Sequence, residues 1–121
     1  MSVHGPTDWP LAHTPAAATQ ATISKAAAPA LKHVCTSISA TLTTVGTLQG
    51  PIQLNLRDGA TGAGTILWSL SIQLPVNGAW SIFLSGLSIP GSINTAMTLE
   101  FSAAGVAASQ ESVALTGYDS A

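Results

Sequence analysis

The chain predicts an all-β protein: a two-sheet antiparallel β-sandwich or barrel of seven to eight strands, preceded by an extended N-terminal arm. Short runs alternate apolar and polar residues with a period of two, and turn-rich linkers holding Gly, Pro, Asn or Ser separate them at the spacing of an all-β domain. Only AAAPAL could begin a helix, and its proline argues against a long one. At 121 residues the chain is long enough for one core and too short for two packed domains, so we divide it into an arm, residues 1–15, and a sandwich, residues 16–121.

The arm, MSVHGPTDWPLAHTP, holds three prolines and a glycine and follows no regular period. Trp9 and Leu11 flank Pro10, and so much apolar area on an extended segment is usually buried against its own domain or a neighbour's, the alternative being a disordered tail. Trp9 is the one aromatic whose context favours an intermolecular role. ATISKAA reads as the first strand. Next, Val34, Thr36, Ile38, Ala40 and Leu42 share one face, with His33, Cys35, Ser37, Ser39 and Thr41 on the other. Ile52, Leu54 and Leu56 alternate with Gln53, Asn55 and Arg57. The same alternation places Ile66, Trp68, Leu70, Ile72 and Leu74 on one face, followed by Trp80, Ile82 and Leu84, then Met97, Leu99 and Phe101, and last Val113 and Leu115. The linkers between them are TLQGP, DGATGAG, PVNGA, SIPGSIN and AAGVAASQ.

Charge narrows the function. Only 7% of residues are charged, against about 25% in an ordinary domain. Ala, Ser and Thr, about 40% of the chain, take the places that charges usually hold. Disorder is excluded, because 46% of residues are hydrophobic and the net charge is only -2. That small net charge gives little repulsion between copies, and strand edges without guarding lysines invite pairing, so other subunits are expected to cover much of the surface. Three basic residues cannot neutralise many phosphates, so no nucleic-acid partner is expected. No apolar run approaches the roughly 18 to 20 residues of a membrane-spanning helix. The first residues lack the basic start and apolar segment of a secretory signal, so synthesis and folding in a cytoplasm are expected, and the lone Cys35 permits no intrachain disulfide.

Motifs for chemistry fail one by one. GATGAG, residues 59–64, resembles a phosphate cradle, yet a P-loop needs Lys and Ser or Thr after its second glycine at the start of a helix, and here a strand follows. Asp58 alone cannot make a calcium loop. His4, Asp8 and His13 have no metal-binding spacing, Cys35 and His33 lack a third catalytic group, and Glu100 and Glu111 are the only glutamates for a glycosidase pair. Trp68 and Trp80 lie on large-residue faces and read as core, leaving no sugar platform with Tyr118. We therefore expect no enzyme, catalytic residue, cofactor or metal. Arg57, the single arginine, ends a strand beside Asp58. It is expected to pair with Asp58 or with a carboxylate at a subunit contact, so Trp9, Leu11, Arg57 and Asp58 are the candidate partner or oligomer contacts.

PIQLNLRDGATGAGTILWSLSIQLP, LSGLSIPGSINTAMTLEFSAAGVAASQESVALTGYD and ALKHVCTSISATL together resemble capsid cement, or decoration, proteins of tailed bacteriophages, over roughly residues 20–119. The resemblance implies a jelly-roll-like sandwich, a homotrimer, the major capsid protein as partner, and a place on the outer capsid surface of the virion, over subunit junctions. It implies no catalytic residues, and the arm varies among such proteins. Two other readings compete: a tail, baseplate or head-fibre module recognising a host glycan, and a small carbohydrate-binding or hydrolytic module.

Overall fold

The computed structural model describes residues 8–121, which form nine strands and no helix. In chain order they are β1 (Asp8–His13), β2 (Thr22–Lys25), β3 (Lys32–Thr43), β4 (Gln49–Asp58), β5 (Thr65–Leu74), β6 (Ala79–Leu84), β7 (Ile89–Pro90), β8 (Met97–Phe101) and β9 (Gln110–Ser120). One sheet runs β1-β9-β3-β6, with the two-residue β7 also on β3; the other runs β2-β8-β4-β5. Every pairing is antiparallel. With β7 set aside, these interleaved orders are those of a jelly roll, the sandwich the sequence predicts.

The alternating apolar faces meet in one core. Ile38 and Leu42 of β3 and Val113 and Leu115 of β9 face Ile52, Leu54 and Leu56 of β4 and Met97, Leu99 and Phe101 of β8, all buried. Side chains of this size contribute roughly 1.5–3 kcal/mol each when fully removed from water, so about ten of them supply most of the driving force for a fold this small.

Three sequence expectations change. Ile66, placed by alternation on the apolar face with Trp68, is 44% exposed, because a β-bulge at Leu67 shifts the phase of β5. Residues 8–13, read as part of an arm, form an edge strand whose register pairs Asp8 with Tyr118 through His13 with Val113. Pro10 lacks an N–H to donate and is tolerated because β1 is an edge. The faces of β3 also change phase: a β-bulge between Cys35 and Ser37 inserts one residue. Ile38, Ala40 and Leu42 face inward as expected, but before the bulge Cys35 joins the core and His33 is buried, although both are assigned to the polar face by alternation.

Candidate functional site

Glu100 anchors the loop that follows Arg57. On β8 it stands opposite Asn55 of β4 and Thr22 of β2, on the outer face of its sheet, yet it is 1% exposed. Residues 59–64 fold back over that face. Arg57 Nε and the Gly62 N–H both donate to Glu100 Oε1, at 2.7 and 2.9 Å, and the Thr22 hydroxyl donates to Oε2 at 3.3 Å. Arg57 also donates to the Gly64 carbonyl, and the Thr98 hydroxyl to that of Gly59. Gly64 sits at φ +81°, and a Cβ there would overlap the Asp58 backbone. That geometry, rather than a ligand, explains the glycines. Asp58 points elsewhere and accepts from the Ser92 N–H at 2.9 Å and its hydroxyl at 2.6 Å, tying down the loop before β8. Arg57 therefore does not pair with Asp58: its carboxylate is Glu100, inside the same chain.

A second polar cluster closes the junction of β1, β3 and β9. The Trp9 indole N–H donates to Asp119 Oδ1 at 2.9 Å, and His33 Nδ1 lies 2.5 Å from the same oxygen. His33 Nε2 faces the Ala26 carbonyl at 2.7 Å. The Trp9 ring meets His33 edge to face at 5.6 Å, and Lys25 Nζ lies 5.8 Å from the Trp9 ring centre. Trp9 also covers Gly117, its cross-strand partner, where a Cβ would strike the ring. This is a large aromatic filling the space of a strand glycine. Burial alone would raise the Asp119 carboxyl, but the hydrogen bonds from His33 and Trp9 and the charges of His33 and Lys25 outweigh it and hold the group below its usual range. The cluster has the pairing of an acid and histidine dyad without a nucleophile: Cys35 bonds instead to the Ser37 carbonyl, and burial pushes its thiol up to about 11.

The third ionisable feature is Glu111, on β9 and 1% exposed. Its Oε1 accepts the Ala21 N–H at 2.8 Å, while Oε2 has no partner. Burial pushes this carboxyl up to about 7, partly offset by backbone hydrogen bonds from Ala21 and Gly105. Glu100 and Glu111 thus belong to different sheets and are tied to different partners.

Among the candidate contacts, Trp9 is 7% exposed within its own chain and Leu11 packs against the same core. Arg57 and Asp58 hold loops. Asp8 and His13 stand at opposite ends of β1, with His13 Nδ1 accepting the Thr22 N–H at 3.2 Å, and His4 lies outside the described residues. Among the described residues no group of three or more His, Cys, Asp or Glu side chains could hold a metal ion. Trp68 and Trp80 pack against the core, Trp80 edge to face with Phe101 at 6.5 Å.

What remains available is uncharged surface. Residues 59–99 contain no charged residue, and they include the exposed Ile66, Val76, Phe83 and Ile93. Val45 and Leu48 are exposed on the loop between β3 and β4. Below Leu48 lies a cavity of about 520 Å³ lined by Leu48, Gln49, Gly50, Pro51, Gln73, Leu74 and Pro75, where the β4–β5 register slips between Gln49 and Ile52. Sequence reasoning found the low charge but not its placement, which only the topology reveals.

No family model matches the chain, and no curated protein matches it in sequence. Among solved structures, the chain is similar to the coat protein of Tobacco streak virus at 8% identity, covering 97% of this chain and 90% of that one with a TM-score of 0.40. It is also similar to a structure described as Bacillus endospore appendages forming a novel family of disulfide-linked pili, at 16% identity, covering 98% and 95% with a TM-score of 0.30.

Proposed function

We propose that this chain is a structural virion protein: a capsid cement protein that assembles as a homotrimer and binds the major capsid protein on the outer surface of the shell. The observation that carries the reading is the charge-free run of residues 59–99, which spans β5, β6, β7 and the start of β8 and includes several exposed apolar side chains of a small jelly roll. A lone soluble domain has little use for such a surface, whereas a protein bracing subunit junctions needs wide, closely packed contacts free of buried ions. The ionisable groups support the same reading: Arg57, Glu100, His33 and Asp119 are consumed in holding loops and strands together. The cement assignment itself comes from the resemblance of the three quoted stretches to phage decoration proteins.

Intact particles imaged with and without the protein test this. The expected result is density repeated over the shell at capsid junctions, and capsids that survive higher temperature when the protein is bound. Density confined to a tail or a single vertex would replace this reading with that of a tail or fibre module. A monomer that neither binds nor stabilises capsids would end it.

A further inference from the structure

We infer that the side of the sandwich bounded by β5 and β6 is where a second copy of this chain docks, by strand addition along these two edges. Its biological setting rests on the assembly reading above; the geometry is independent of it. Each sheet ends in two edge strands, β1 and β6 in one, β2 and β5 in the other. On the β1/β2 side the edges are protected. Pro10 interrupts β1, Asp8, His13 and Lys25 occupy strand ends, Trp9 fills the interior, and the Thr22 N–H bonded to His13 links the two sheets.

Among the described residues the β5/β6 side is guarded less, by one β-bulge at Leu67 of β5 and by Pro90 in the short β7 beyond β6. Its edges, Thr65–Leu74 and Ala79–Leu84, contain no charge and no proline. Between them Trp68, Leu70, Trp80 and Ile82 are only partly buried, Ile66 is 44% exposed, and Phe83 is 68% exposed. An unguarded edge offers backbone donors and acceptors that another strand satisfies directly.

A second copy is the occupant that fits. Two such strips meet without like charges facing each other, whereas a charged partner would bury its ions against a surface holding no counter-charge. Both copies also carry the same alternation of outward Ser and Gln with inward apolar residues, so apolar rows can stay in register. The area suffices. The ten residues of β5 run about 33 Å and the six of β6 about 20 Å, and two sheets about 10 Å apart with their outward side chains give a strip about 20 Å wide, or about 530 Å², just above the roughly 500 Å² per partner that a specific interface needs.

The test is sedimentation velocity of the full chain over a dilution series, combined with hydrogen exchange at high and low concentration. The unmodified protein is expected to associate, with β5 and β6 amides protected only when concentrated. Ser71→Lys and Phe83→Lys, both on outward-facing positions, are expected to weaken association by roughly tenfold or more, and Ala12→Lys on β1 to leave it unchanged. A monomer at every concentration overturns the inference, as does association that survives both substitutions or protects β1 and β2 instead. Should a variant misfold, the exchange pattern of the unmodified protein still decides. A monomeric protein that nevertheless coats capsids would remove this inference and the homotrimer but leave capsid binding standing; an edge-paired oligomer that ignores capsids would keep this inference and remove capsid binding.

Discussion

The two long sides of this sandwich are built from similar strands and closed in opposite ways. At β1 and β2 the sheets are joined by Thr22 to His13 and Ala21 to Glu111, and each edge strand is tied to its neighbour by Trp9 to Asp119 and Thr22 to Glu100. At β5 and β6 the apolar seam is half covered and neither edge strand contains a charged residue, the nearest being Arg57 and Asp58 across from Ile66 and Thr65. The difference teaches where this small protein spends its few polar groups. They finish the fold on one side, and the other side keeps a half-covered apolar surface.

That contrast can be broken most severely at Trp9. Trp9→Ala removes the aromatic plug of the closed side and leaves Asp119 without one donor; it should cost about 3–5 kcal/mol in urea unfolding. Arg57→Ala comes next, at about 3 kcal/mol, because it strands the buried Glu100 carboxylate. Since that partner is internal, folding stability should fall whether or not the protein is associated.

The pH dependence sharpens the comparison, because both perturbed carboxyls belong to the closed side and act in opposite directions. Glu111 holds its proton more tightly when folded, so its contribution is fully present below its ordinary value of 4.5, declines as pH rises, and is lost on passing about 7. A shift of this size corresponds to roughly 2–4 kcal/mol between pH 4 and pH 8, and Glu111→Gln should flatten that slope in melts across the range. Asp119, held below its ordinary value, contributes stability above pH 3.8 and loses it as pH falls through its depressed value.

Gly117→Ala should cost about 1–3 kcal/mol, because its Cβ meets the Trp9 ring and the Val34 carbonyl; in a Trp9→Ala background the penalty should shrink, as a double-mutant cycle would show. Smallest of all, Ser81→Lys on the open side should change monomer stability by no more than about 0.5 kcal/mol while still weakening association in sedimentation.

Much of the architecture was legible in the chain. Runs such as Ile52, Leu54, Leu56 and Met97, Leu99, Phe101 named core faces correctly, because a strand buried on one side must alternate. Residues 8–13 were not legible as a strand: Pro10 spoils the pattern, and it is the backbone of β9 that makes this segment one. The inward turn of Cys35 was equally hidden, since a bulge moves the phase by one residue without leaving a mark in composition. The pairings of Arg57 with Glu100 and of His33 with Asp119 span 43 and 86 positions, and no local spacing encodes them.

The sequence by itself determined an all-β sandwich with a nearly uncharged surface, because periodicity and composition are local properties that each residue carries into any fold. That the arm closes one side, that Arg57 and Asp58 each hold a loop, and that the uncharged strands β5 and β6 form the opposite side emerge only in the folded chain. Those outcomes depend on which strands become edges, and edges exist only once the sheets are ordered.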